Sequence, residues 1–216
     1  MRQSSRKPTI GVLALQGAFR EHGRALVKAG VTARQVRRRS ELEGIDGLVI
    51  PGGESTTIGK LMVSYHLLQP VRELAAAGML VFGTCAGLVM LAREVIEDDQ
   101  PLLGLMDIKV RRNAFGRQVK SFEAPLEVPA LGGEPFPGIF IRAPWIESAG
   151  PMVEILAKFE GHPVAARQDR LLVTAFHPEL TDDLRLHQLF LEMLAGGEIK
   201  ILEGQKATGF QKKAPS

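Results

Sequence analysis

Short, almost wholly apolar runs alternate with amphipathic ones through the first half of the chain. Thr9 to Leu15, Val31 to Val36, Gly47 to Ile50 and Met79 to Phe82 have the length and unbroken hydrophobicity of strands covered on both faces. Between them, Phe19 to Ala29, Thr56 to Ala77 in two pieces around Pro70, and Ala86 to Val95 carry apolar residues at helical spacing. Alternation of this kind predicts a parallel sheet covered by helices. The second half changes character. Ile108 to Arg111, Leu126 to Val128, Ile139 to Ile141, Val153 to Phe159, Pro163 to Arg167 and Leu171 to Phe176 are short strand-like segments between Gly and Pro turns. They read as antiparallel additions to the sheet. Asp183 to Leu194 reads as a closing helix, with Thr181 or Asp182 as its N-cap. The expected fold is therefore three-layer α/β, with a mostly parallel central sheet, helices on both faces and added antiparallel strands in the second half.

Residues 1–8 read as an N-terminal arm, 9–195 as one domain, and 196–216, polar and carrying Lys206, Lys212 and Lys213, as a mobile tail. A length of 216 residues suffices for a full core, and 45% hydrophobic residues with dispersed charge is ordinary globular composition. Arg2, Arg6 and Lys7 before an apolar run mimic a signal peptide. The run is short, however, no A-x-A site follows, and a charged helix begins directly after it. No stretch is long enough to span a bilayer. The single cysteine excludes an internal disulfide and is compatible with a reducing cytoplasm, the expected compartment. A net charge of +3 and the cluster Arg34 to Arg39 raise nucleic acid as a partner, but no aromatic residues interleave to stack bases, and none is expected. No His/Cys/Asp group has metal-ligand spacing and no dinucleotide fingerprint occurs, so neither metal nor cofactor is expected.

That one cysteine, Cys85, stands in Gly83-Thr84-Cys85-Ala86-Gly87, between a strand-like and a helix-like run. A lone cysteine is more often a small buried hydrophobe than a nucleophile. Glycines on both sides change the balance, because a strand-to-helix elbow that exposes a nucleophile needs small neighbours. A thiol at a helix N-terminus is expected to have its pKa lowered. The nucleophile needs a base, and the base an orienter. Of five histidines, His177 ends a strand and is followed by Pro178 and Glu179; residues two apart in extended chain share a side, so Glu179 can hold the imidazole while its other nitrogen faces Cys85. Backbone donors to an oxyanion, commonly worth ~3 kcal/mol each, are expected from Ala86 N–H and from Gly52 or Gly53, with Gly53 preferred. Ligands of open α/β sheets sit beyond the carboxyl ends of the strands, where the Pro51-to-Ser55 loop and Cys85 should meet.

The elbow, Pro51-Gly52-Gly53-Glu54-Ser55-Thr56-Thr57 and Phe176-His177-Pro178-Glu179-Leu180 resemble class I (triad) glutamine amidotransferases. More narrowly, Leu15 to His22, Arg112 to Gln118 and Phe140 to Pro144 are similar to the PdxT/SNO family, the glutaminase subunits of pyridoxal 5'-phosphate synthase. The resemblance runs from about Thr9 to Leu194. It implies a flavodoxin-like class I glutaminase fold and hydrolysis of L-glutamine to glutamate and ammonia through a cysteine thioester. The ammonia would pass to a synthase subunit of PdxS/SNZ type that makes pyridoxal 5'-phosphate, a product of the pair and not a cofactor here. It implies Cys85, His177 and Glu179 as catalytic residues, and Gly53, Glu54, Ser55, Arg112, Ile141 and Arg142 as glutamine-binding positions. Glu54 suits the substrate's α-ammonium, and Arg112 or Arg142 its α-carboxylate. Arg111 departs from the family pattern, where an acidic residue is common. His22 lies in a family signature without an evident route to the thiol, and packing or an interface is its expected role. The rival readings are a class I glutaminase serving another synthase and a catalytically silent binding subunit. Intact Cys85, His177 and Glu179 argue against the second. The flexibility of Gly52-Gly53 suggests that partner docking sets the orientation of their peptide.

Overall fold

The computed structural model describes residues 6–96, 99–116 and 121–196. Its core is a seven-stranded sheet. β1 (Thr9–Leu13), β2 (Thr32–Val36), β3 (Gly47–Ile50), β4 (Leu80–Thr84) and β12 (Leu171–Thr174) run parallel. At one edge, β11 (His162–Gln168) and β10 (Glu154–Phe159) pair antiparallel, giving the order β10-β11-β12-β4-β3-β1-β2. Every residue of β1, β3, β4 and β12 is buried, as strands covered on both faces must be. Helix α1 (Phe19–Lys28) and the closing helix α5 (Arg185–Leu194) lie together on one face, where Phe82 of β4 meets both through His22 and Phe190. On the other face α4 (Ala86–Leu91) packs against β3 and β4 and is backed by α2 (Ser55–Ser64), with α3 (Leu68–Ala76) following.

The expected α/β architecture is present, and the second half is partly different from its expectation. Only β10 and β11 extend the main sheet antiparallel, whereas β12 joins it parallel to β4. The other strands make two small sheets. β5 (Ala92–Val95), β6 (Met106–Arg111) and β9 (Trp145–Ala149) form one, and β7 (Ser121–Leu126) and β8 (Phe136–Ile141) form a hairpin. The expected helix to Val95 stops at Leu91: Ala92 turns to an extended backbone, and Ala92 to Val95 pair with β6. The break in the long helical pattern falls at Tyr65 to Leu67, where His66 has φ 54°, and Pro70 sits within the first turn of α3, where its missing N–H costs nothing. Neither Thr181 nor Asp182 caps α5; Asp183 accepts from Arg185 N–H and grips the Arg185 guanidinium. The arm is anchored at its end, by an Arg6–Asp46 ion pair of 2.6 Å and by Thr32 N–H donating to Pro8 C=O. The tail from 197 onward lies outside the described residues. Among the described residues no helix is long and apolar enough to cross a membrane, and none of their His, Cys, Asp and Glu side chains form a metal-binding group.

Candidate active site

Four neighbouring parallel strands, β12, β4, β3 and β1, deliver their carboxyl ends to one edge of the sheet, and four loops meet there. Cys85 follows β4 directly. Its backbone adopts φ 48°, ψ −100°, a region costly for a residue with a side chain. Both flanking glycines are required by contact. A Cβ on Gly83 would come within 2.5 Å of the Gly87 carbonyl oxygen, and one on Gly87 within 2.0 Å of the Ile50 carbonyl oxygen. The elbow is held by Cys85 N–H donating to Thr174 C=O at 2.7 Å, which ties the cysteine's strand end to that of the histidine. Helix α4 has only six residues, so little of the expected dipole acts on the thiol.

His177, three residues beyond β12, is fixed by its backbone N–H donating to Ile139 C=O of β8 at 2.8 Å. Its Nδ1 lies 2.7 Å from Glu179 Oε1, and both side chains are buried. Among the described residues Nε2 has no hydrogen-bond partner of ordinary geometry, while the Cys85 thiol, which donates to the Ile141 carbonyl at 3.8 Å, is near enough to act on it. Such contacts often tighten only around a substrate. Burial opposes charge on His177, but Cys85 and Glu179 outweigh it and raise the imidazole pKa to about 10. Burial likewise pushes Glu179 up, and its histidine neighbours prevail and lower it. The pair rests as imidazolium and carboxylate.

A cleft of about 330 Å³ opens over the thiol, lined by Gln16, Gly53, Arg112 and Arg142 among others. Cys85, Asn113 and Arg142, three residues with positive φ, all border it. Of the residues expected at the site, all but Glu179, which is buried behind His177, line this cleft. Ala86 opens α4, its N–H among those that a helix leaves without an intrahelical partner. Gly52 is excluded as an oxyanion donor, since its N–H donates to Thr84 Oγ1 at 3.0 Å. The Gly52 carbonyl accepts from Ala18 N–H at 3.0 Å, so the Gly53 N–H, on the opposite side of the trans peptide, is turned away from Ala18.

Glu54 is the N-cap of α2. Its carboxylate accepts from the Thr56 and Thr57 amides and from the Thr57 hydroxyl, and meets Arg112 Nη2 at 3.2 Å. Burial raises its pKa, and the donors from Thr57 and Thr56 win and lower it. Ser55 is buried with its hydroxyl on Gln100 Oε1 at 3.0 Å. Gln100, which sequence reasoning missed, also accepts from Thr56 and from Arg112 Nη1, and so holds the cleft residues Ser55 and Arg112 together. Nothing local in the sequence marks it. Arg111 pairs with Glu147 at 3.1 Å on the second sheet.

His22 packs in the core as expected, and it also has a route toward the site that the sequence did not show. It is fully buried, with Nε2 3.0 Å from Thr84 Oγ1 and 3.3 Å from Glu179 Oε2, so it reaches the His177–Glu179 pair through the carboxylate. The basic run also has local duties: Arg34 donates to Glu43 C=O, and Arg37 and Arg38 N–H groups donate to Glu41. A larger groove of about 610 Å³ between α1 and β2 is bordered by Phe19, Arg24, Val27 and Arg34 and contains neither nucleophile nor acid–base pair.

A parallel α/β sheet with added antiparallel strands and an elbow cysteine at its carboxyl edge is the fold of class I glutamine amidotransferases. Within that class the chain belongs to the SNO glutamine amidotransferase family, whose model matches residues 12–196. It is 62% identical over 185 residues to pyridoxal 5'-phosphate synthase subunit PdxT of Moorella thermoacetica, covering 86% of this chain and 98% of that one. It is 56% identical over 188 residues to the protein of the same name from Carboxydothermus hydrogenoformans, covering 87% and 98%. Among solved structures, a glutamine amidotransferase superposes with a TM-score of 0.83 at 50% identity, covering 86% of this chain and 98% of the other. PurLQS from Thermotoga maritima shares the fold alone, with a TM-score of 0.63 at 18% identity over 88% of this chain and 100% of its own.

Proposed function

We propose that this chain is the cytoplasmic glutaminase subunit of a pyridoxal 5'-phosphate synthase, with Cys85 as nucleophile, His177 as proton carrier and Glu179 as its orienter. The observation that carries the assignment is the buried 2.7 Å contact of Glu179 with His177 Nδ1, which leaves the other ring nitrogen toward the only cysteine. Its 55–62% identical relatives bear the name of that subunit. The thiolate attacks the side-chain amide carbon of glutamine, forming a C–S bond and an oxyanion, with the Ala86 and Gly53 N–H groups as its donors. Protonated His177 then gives its proton to the departing nitrogen as the C–N bond breaks, releasing ammonia and leaving a thioester. Neutral His177 next takes a proton from water; the C–O bond forms, the C–S bond breaks, and glutamate leaves.

Gly53, Glu54, Ser55, Arg112, Ile141 and Arg142 form the glutamine site in this reading. The Glu54–Arg112 pair suits a zwitterion, because an α-ammonium and an α-carboxylate can each take one partner as the pair opens. Ammonia passes to a synthase subunit of PdxS type. Docking that draws Gly52 C=O away from Ala18 N–H would free the Gly52-Gly53 peptide to turn, and so couple turnover to the partner. The experiment is ammonia release from L-glutamine, alone and with the synthase subunit, against Cys85→Ala. Partner-stimulated release that vanishes in the variant is expected. Release that persists in the variant would remove Cys85 as nucleophile, and no release from the wild type with its partner would favour a silent subunit.

A further inference from the structure

Behind the catalytic residues lies a buried cluster that the mechanism does not use. His187 of α5 places Nε2 3.1 Å from His22 Nδ1, and His22 Nε2 sits 3.0 Å from Thr84 Oγ1 and 3.3 Å from Glu179 Oε2. His22, His187 and Thr84 are wholly buried, and the Phe82 ring packs edge-on to both imidazoles. We infer that His22 and His187 are positioning residues. They form a one-directional hydrogen-bond chain, His187 to His22 to Glu179, that fixes the carboxylate and through it the orientation of the His177 ring, and that ties Glu179 to the Gly52 backbone through Thr84. The inference rests on the glutaminase reading and extends it.

The direction of the chain follows from the acceptors. A bare Nε2 lone pair on His22 facing a buried carboxylate oxygen would be repulsive, and Glu179 Oε2 has no hydrogen bond of ordinary geometry from any described group. The proton therefore stands on His22 Nε2, shared between Thr84 Oγ1 and Glu179 Oε2. His22 Nδ1 is then an acceptor, and His187 donates to it from Nε2. The nitrogen left at the far end, His187 Nδ1, has no partner among the described residues. In this direction it carries only a lone pair, whereas the reverse direction would bury an unsatisfied N–H there, the rarer defect in proteins. Burial is the main influence on both rings and lowers both pKa values. It is opposed at His22 by Glu179 and Glu21 and reinforced by His177, and it takes His187 to about 3. A neutral His22 supports Glu179 as an N–H dipole, not as a cation. The same helix also grips Gly52. Ala18, just before α1, donates to Gly52 C=O, while Gly52 N–H donates to the Thr84 hydroxyl that His22 touches. One helix thus references both the orienting carboxylate and the Gly52-Gly53 loop.

The first test needs no substitution and no turnover. Nitrogen-15 histidine spectra of the full chain should place His22 and His187 as neutral, Nε2-protonated rings from pH 6 to 9. A His22 that is Nδ1-protonated, or charged across that range, would overturn the chain. The second test compares His22→Gln, which keeps an N–H donor, with His22→Leu, which does not. With the synthase subunit present, His22→Leu should lower kcat for glutamine by about tenfold or more with KM within about twofold, and His22→Gln should restore most of it. In both variants the rate of Cys85 alkylation by iodoacetamide against pH reports the cluster without glutamine. Loss of the donor should move the acid limb of that profile toward neutrality, because Glu179 becomes easier to protonate. Equal loss in both variants, or a profile that stays in place, counts against the inference even if the chain proves not to hydrolyse glutamine. Should His22→Leu fail to fold, the spectra decide.

Discussion

The place where a side chain on Gly52 would stand is occupied by the His177 imidazole: a Cβ there would lie 2.3 Å from Cε1 and 2.8 Å from Nδ1. Gly52 is thus the wall that sets the ring against Glu179, in addition to any freedom its peptide has. Gly52→Ala should displace the ring by a fraction of an ångström to an ångström. A shift of that order costs about 10²-fold in rate, so kcat should fall by about that factor. Steady-state kinetics beside a thermal melt would separate this from unfolding, since the melting temperature should move little. An active Gly52→Ala protein would mean that the ring is held by Glu179 alone. The contact was invisible in the sequence, where Gly52-Gly53 reads as a turn and nothing says which neighbour forbids a methyl group. The meeting of Cys85, His177 and Glu179 was legible, because each signal is local: two glycines bracket Cys85, and Glu179 is two residues from His177. His22 and Gln100 act across 157 and 45 residues of chain, on Glu179 and Ser55, and no local pattern carries such a pairing.

At the scale of elements, Glu54 shows one side chain serving a helix and a cleft together. As N-cap it satisfies two of the amides that α2 leaves open, and as a carboxylate it faces Arg112. Glu54→Ala should cost about 1 kcal/mol of stability, a fall of ~2–4 °C in melting temperature for a chain of this size. Glu54→Gln keeps an acceptor for the amides but loses the charge. It should melt closer to the wild type while KM for glutamine rises. Unchanged KM in Glu54→Gln would remove Glu54 from the ammonium site. The elements that sequence reading misjudged were those whose pairing overrides propensity. Ala92-Arg93-Glu94-Val95 continues a helical composition, yet β6 offers a parallel partner and only Ala92 and Val95 are buried, so the chain leaves the helix. β9 escaped notice because Glu147, Ser148 and Ala149 are exposed and only Trp145 and Ile146 carry an apolar signal. β7 was placed late, at Leu126 to Val128, since its outward residues Ser121, Glu123 and Pro125 interrupt the hydrophobic run.

For the molecule as a whole, the buried histidines make stability depend on pH from both sides. His187, lowered to about 3, contributes stability that is whole above its unfolded value near 6.5 and drains as the solution is acidified toward 3; His22 acts in the same direction. Glu179, also lowered, adds a loss as pH falls below about 4.5. His177 has the opposite sign: raised to about 10, it contributes fully below pH 6.5, and that contribution is lost as pH rises through 10. Each such group can withdraw up to ~1.4 kcal/mol per pH unit within its window. The melting temperature should therefore peak near pH 6.5. His187→Phe should flatten the acid limb and His177→Gln the alkaline one, as calorimetry across pH 4 to 10 would show. A flat profile in the wild type would mean that these rings titrate as freely as they do in the unfolded chain.

β4 and β12 lie side by side with Thr84 opposite Thr174, and Cys85 N–H is bonded to Thr174 C=O. Adjacent strands stand ~4.8 Å apart in any sheet, so the backbone ladder sets the spacing from which Cys85 and His177 leave their strands, and the Ile139 carbonyl and Gly52 hold His177 beyond it. Loops that touch neither residue are therefore free to drift in sequence, whereas the β8 strand and Gln100 are not, because Ile139 C=O fixes the His177 backbone and Gln100 binds Ser55 and Arg112. Cys85 and His177 keep their spacing through such change, as a tool head keeps its gauge when only the handle is recut.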